Sequence, residues 1–178
     1  MQTILDIIVE HKKGEISARR AQMPRAKLEQ QFAEAAEARG FVQRLAQVAE
    51  TCPAVIAEIK RGSPSLGCIR PNLEAPAQAA AYERGGAAAL SVLTDQKFFF
   101  GSDEDFTAAR ERVSVPMLRK EFIIDEYQLY ESRALGADCV LLILAILSDK
   151  QAAKLADTAQ KLGLDVLAEV HSTNEIRR

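Results

Sequence analysis

From residue 54 onward, short apolar runs alternate with longer stretches whose apolar positions recur every three or four residues. The runs are VIAEIK at 55–60, AALSVLT at 88–94, VPMLRK at 115–120, CVLLIL at 139–144 and DVLAEV at 165–170. Their starts lie about 23–35 residues apart, the length of one strand plus one helix. The stretches between them carry helix punctuation. Ser102 is placed to cap a helix, with Asp105 three residues on; Asp125 opens a helix that Gly136 closes, and Ser148 opens one that Gly163 closes. Strict alternation, with runs apolar on both faces, predicts a parallel sheet covered by helices. Both an open doubly wound sheet and a closed eight-stranded barrel fit. No GxGxxG follows the first run. Polar residues at the strand ends favour the barrel, because barrel enzymes place their chemistry there.

The first 50 residues follow a different rule. Ile4, Leu5, Ile7 and Ile8 have helical spacing within 3–14. Pro24 then opens a second helical stretch with Leu28, Phe32, Phe41, Leu45 and Val48 as its stripe, interrupted at Gly40. Arg19, Arg20 and Arg25 lie between them and read as a solvated basic linker. The chain therefore divides into a helical extension, 1–50, and a β/α region, 51–178, that together make one domain.

Composition adds exclusions. The 178 residues are 48% hydrophobic and 27% charged with a net charge of -2, an ordinary globular mixture that calls for neither nucleic acid nor an anionic membrane. No apolar run is long enough for a membrane helix, and the N-terminus has no secretory n-region or cleavage site. The expected location is the cytoplasm. Cys52, Cys68 and Cys139 form no CxxC and read as reduced thiols. His11 and His171 stand far apart, and no metal-ligand spacing or cofactor motif appears.

Chemistry gathers at the ends of the runs. In AEIKRGSPSLG, 57–67, alternation puts Ile56, Glu58 and Lys60 on one strand face and Val55, Ala57 and Ile59 on the other. If the second set packs on helices, Glu58 and Lys60 face the interior about 6–7 Å apart along the strand. They can serve proton transfer if burial shifts them toward neutrality, or stand as a structural ion pair. Lys120 shares a face with Leu118 and Phe122, and Glu169 with Leu167 and His171. Four charged residues converging on three strand ends are costly unless they pair or work, which favours a catalytic site. Elsewhere, RGSPS is a turn that could touch a phosphate. The three phenylalanines of FFFGS, 98–102, cannot all face one core, so at least one is expected to line a cavity or the surface, and His171 reads as a satisfied structural residue.

Read together, AEIKRGSPSLGCIR, SVLTDQKFFFGS, VPMLRKEFIIDEYQLYESRALGAD and DVLAEVHSTNEIRR resemble the indole-3-glycerol-phosphate synthase family, in that family's order. The helical extension is also a family trait. Gly62 and Leu66 depart from the family's usual loop. The resemblance implies a TIM (β/α)8 barrel, here carried only through its fifth strand and lacking the family's later asparagine, arginine and glutamate–serine–glycine motifs. It implies a carbon–carbon lyase of tryptophan biosynthesis that closes the ring of a carboxyphenylamino-deoxyribulose phosphate, with loss of carbon dioxide and water and without a cofactor. Lys120 would be the general acid for ring closure. Glu169 would serve proton transfer, Lys60 dehydration and anion binding, and Glu58 would be a supporting base. Phe99, Phe122 and Leu141 would form the apolar wall for the aryl ring, with Ser63 near the substrate. A chain of five units would be inactive alone, as a half-barrel or assembly unit, and would self-associate through open edges exposing Ile56, Leu118 and Leu167. A sugar-phosphate isomerase is a poorer fit, because no isomerase signature is present.

Overall fold

In the computed structural model, which describes residues 2–33 and 37–178, all five apolar runs are strands of one parallel sheet. They are β1 (Ile56–Ile59), β4 (Ala89–Leu93), β5 (Met117–Lys120), β6 (Cys139–Ile143) and β7 (Asp165–Glu169), hydrogen-bonded in that order. A small antiparallel hairpin of β2 (Gly62–Ser63) and β3 (Gly67–Cys68) follows β1. Between the strands run α4 (Ala75–Arg84), α5 (Gln96–Phe99), α6 (Asp103–Arg112), α7 (Glu126–Ala134) and α8 (Asp149–Lys161), and α9 (Thr173–Ile176) follows β7. The expected punctuation is in place. Ser102, Asp125 and Ser148 accept hydrogen bonds at the starts of α6, α7 and α8, while Gly136 and Gly163 take positive φ after α7 and α8.

The two faces of the sheet build two cores. On one, Ile59, Leu90, Val92, Met117, Val140 and Leu142 pack against the covering helices, through residues such as Phe106, Leu129 and Leu155. On the other, Ala89, Leu118, Cys139, Leu141 and Ile143 form an inner cluster with Phe41. Phe41 belongs to α3 (Phe41–Ala49), which follows α1 (Ile4–Gln22) and α2 (Arg25–Ala33) in the extension. Gly40 caps α3 with φ of 65°, so the stretch after Pro24 is not one helix. Its stripe is split between cores: Leu28 and Phe32 pack with Tyr127 and Tyr130 of α7, whereas Phe41 and Leu45 enter the inner cluster.

Two further expectations are corrected. Arg19 and Arg20 are not linker residues, because α1 continues unbroken to Gln22. Their charges are met by acids distant in sequence: Arg19 pairs with Asp103 at 2.6 Å and Arg20 with Asp125 at 2.5 Å, while Arg25 opens α2 beside Glu29. Leu118 is not exposed on an open inner face but buried, because the Phe41 cluster covers it. Ile56 and Leu167 are exposed, at 36% and 38%. They lie on β1 and β7, the two strands with a sheet neighbour on one side only, so the barrel is not closed.

Asp138, fully buried at the amino end of β6, ties this layout together. Its carboxylate accepts from the backbone N–H of Arg39 at 2.7 Å, from that of Met117 at 2.7 Å, and from both terminal nitrogens of Arg110. It joins the loop before α3 to α6 and β5. Asp138→Ala should lower the unfolding free energy by about 3–5 kcal/mol, because it leaves the Arg110 charge unpaired in a largely buried site. Urea denaturation checks this, and a loss below about 1 kcal/mol would contradict it.

Candidate functional site

At the carboxyl ends of the strands lies a cavity of about 230 Å³. Lys120, Glu169, Phe99, Phe122 and Leu141, all anticipated from the sequence, line it. Its remaining wall includes Ile4, Leu5 and Ile8 of α1, which lies across the mouth. Phe99 and Phe122 face each other with ring centroids 5.8 Å apart.

The Phe99 ring is aimed by a short local structure. Asp95 caps α5 by accepting from the N–H groups of Phe98 and Phe99 at 2.7 and 3.1 Å. Phe100 then adopts φ of 60° and Gly101 completes a tight return, where a Cβ would stand 2.1 Å from the Leu93 carbonyl oxygen. Gly62 is equally constrained: a Cβ there would lie 2.4 Å from the Gly67 oxygen and 2.5 Å from the Phe100 ring. The lack of a Cβ at Gly62 thus lets the β2–β3 hairpin close against the phenylalanine turn.

Glu58 is brought to the cavity through Lys120, whose ammonium donates to its carboxylate at 2.6 Å. Lys60 reaches the other oxygen of Glu58 at 3.0 Å. The three form a +, −, + cluster from β1 and β5. Glu169 pairs with His171 at 3.0 Å. Ser63 is not gathered in. Its hydroxyl stays within the hairpin, 3.3 Å from that of Ser65, and only its neighbour Pro64 reaches the cavity wall.

Electrostatics modify the simplest expectation for Glu58. Burial alone would raise its carboxyl, but hydrogen bonds and charge from Lys120 and Lys60 outweigh burial and hold it below its ordinary value. It is therefore an ionised partner that fixes two lysines, not a carboxyl poised near neutrality. Among the described residues no cluster of three or more His, Cys, Asp or Glu could hold a metal ion, and no helix is long and apolar enough to cross a membrane.

The family model of indole-3-glycerol phosphate synthase matches residues 5–178. The chain belongs to that family. Among solved structures it is similar in fold to tryptophan synthase subunit alpha from Legionella pneumophila str. Paris, at 16% identity and a TM-score of 0.51 over 80% of this chain and 63% of that one. A tryptophan synthase alpha chain from Legionella pneumophila subsp. pneumophila gives 16% identity and a TM-score of 0.52, with 80% and 62% covered. The synthase-family chain thus spans less than two thirds of the length of these neighbours.

Residues not anticipated from the sequence complete the site. Asp95 and Glu121 lie within the family-like motifs TDQKFFF and LRKEF, yet spacing alone assigned them no partner. Both are buried, and the ammonium of Lys12 from α1 lies between them. A signal for Lys12 was present: Ile8, Lys12 and Ile16 are four residues apart, so a lysine interrupts the buried stripe of α1.

The depressed Glu58 carboxyl contributes stability that is present above its ordinary value and lost as pH falls through the lower folded value. A carbon-13 titration of its side chain should give a midpoint below about 4.3, the free glutamate value. Lys120→Met should raise that midpoint. A midpoint at or above the free value would mean that the three-residue cluster does not form in solution.

Proposed function

We propose that the cavity is the reaction centre of an indole-3-glycerol-phosphate synthase, and that the five strands are the first five units of its (β/α)8 barrel. The observation that carries this reading is the Lys120 ammonium, held by Glu58 at 2.6 Å in a cavity that is also walled by Phe99, Phe122 and Leu141. In such a site the aryl ring of a carboxyphenylamino-deoxyribulose phosphate lies between the apolar side chains. A ring carbon attacks the ketone carbon, and the carbonyl π electrons move to oxygen. Lys120 stabilises and protonates that oxygen, which is most effective where water is excluded. The carboxylate leaves as carbon dioxide, and its bonding electrons neutralise the iminium formed on cyclisation, so no cofactor takes part. Loss of the hydroxyl as water, with a proton taken from the methylene carbon next to the nitrogen, gives the indole.

Glu169 serves proton transfer beside the reacting carbons. Lys60 acts in dehydration and anion binding. Glu58 supports both lysines as base and counter-ion, and Ser63, in the neighbouring hairpin, stands near the substrate. The ligand is a small phosphorylated molecule rather than a nucleic acid or a membrane, and the reaction belongs to the cytoplasm.

In a chain extended to eight units, Lys120→Ala should reduce kcat at least ~10²-fold, the usual contribution of a general acid. Near-normal turnover would overturn the assignment. The chain as it stands should give no turnover above its own Lys120→Ala variant. Without the later strands it lacks the phosphate grip expected after strands seven and eight, and so the remote binding that holds the reacting geometry.

The half-bonded strands β1 and β7, with Ile56 and Leu167 exposed, support self-association through the open edges. Sedimentation equilibrium should detect dimers or larger species, and supplying the later units in trans should suppress them. A monomer whose β1 and β7 amides are well protected from exchange would contradict this.

A further inference from the structure

We propose that Lys12 is a positioning residue for the cavity: its ammonium orients the two carboxylates that aim the aromatic walls. The proposal rests on the synthase reading for what the cavity binds, but not for how the walls are held. The Lys12 side chain is 1% exposed, and its ammonium lies 3.0 Å from Asp95, 2.9 Å from Glu121 and 2.9 Å from Glu15. Burial works against its charge, but Glu121, Asp95 and Glu15 outweigh burial and hold it protonated.

Each main partner has a second set of bonds that leads to the cavity. The other oxygen of Asp95 accepts from the N–H groups of Phe98 and Phe99. Glu121 accepts from the Phe122 N–H at 2.8 Å and from the Thr94 hydroxyl at 3.0 Å. One cation therefore sets the backbone at both members of the Phe99–Phe122 pair, and Glu121 directly follows Lys120 in the chain. Without that cation, two buried carboxylates would face each other and have to turn away or take up a proton. An apolar residue would fill the same place between Ile8 and Ile16 at less desolvation cost. What the lysine adds is the fixed direction of Asp95 and Glu121. It also ties α1, whose Ile4, Leu5 and Ile8 line the mouth, to the ends of β4 and β5.

The test compares Lys12→Met with the unaltered chain, using Lys13→Met on the exposed side of α1 as control. Two quantities are measured: amide exchange residue by residue, and affinity for 2-aminobenzoate, the free form of the aryl group in the synthase reading. Lys12→Met should speed exchange at Phe98, Phe99 and Phe122 about 10-fold while leaving Val140 and Leu142 in β6 unchanged, the mark of a local rather than a global opening. It should weaken 2-aminobenzoate by about 10-fold, or roughly 1.4 kcal/mol. Uniform acceleration across the sheet, or no change at the three phenylalanine amides, would overturn the proposal. Equal affinity in Lys12→Met and the unaltered chain would overturn it and leave the ligand reading intact. Local acceleration in a chain that never binds 2-aminobenzoate would remove the ligand reading and keep the positioning role. If Lys12→Met does not fold, Lys12→Gln carries the same readouts. Failure of both to fold would make Lys12 a stability residue and overturn the proposal.

Discussion

The guanidinium of Arg119 is the joint on which the site and its surroundings depend. It is fully buried on the helix-facing side of β5 and donates to Asp103 at 2.8 Å, to the Thr94 hydroxyl at 3.3 Å and to Ser132 at 3.2 Å. Those bonds join β5 to the end of β4, to α6 and to α7. Arg19 of α1 shares Asp103 and approaches Glu131, so the same acids hold the extension. Thr94 in turn donates to Glu121, which meets Lys12. A continuous polar path thus runs from the helix layer through the strand ends to the mouth of the cavity. Opening such a buried pair by removing one partner is strongly destabilising, whereas an apolar replacement of the whole set can be neutral. The network is therefore better understood as fixing geometry than as adding stability.

Its internal balance fits that view. Burial would raise the Asp103 carboxyl, but Arg119 and Arg19 outweigh burial and lower it. Glu131 is raised, because burial, with Asp103 adding to it, exceeds what the same two arginines provide. The two acids share the same cations unequally, and the nearer one is held charged.

A second constraint acts on the other side of the sheet. Strand side chains alternate in direction, so a sheet covered by helices on one face must satisfy its opposite face separately. At the amino ends Phe41 does so, packing with Ala89, Leu118 and Cys139. In this apolar setting burial pushes the Cys139 thiol up to about 12, so it is inert at neutral pH. At the carboxyl ends the inner face instead leaves a cavity in which Lys120 and Glu169 stand among apolar walls, with Glu58 bonded to Lys120. A filled end and an open end on one inner face let a rigid scaffold present charged groups to a small cavity.

Much of this was legible in the amino-acid order. The five strands, the caps at Ser102, Asp125 and Ser148, the glycine stops at Gly136 and Gly163, and the shared face of Glu58 and Lys60 depend on neighbours a few residues apart. Periodicity and capping chemistry report such local relations directly. The family motifs likewise pointed to Lys120, Glu169, Phe99, Phe122 and Leu141, and all five line the cavity. What only the tertiary structure decided is which distant charges meet. Arg19 and Arg20 resembled a linker until Asp103 and Asp125 supplied their counter-ions, and Lys12 was an unremarkable helix lysine until Asp95 and Glu121 enclosed it. The direction of the Glu58 shift belongs to the same class, because it is the outcome of burial set against two ammonium groups. Coulomb energies and desolvation depend on separation in space and on exclusion of water, and neither can be read from spacing along a chain.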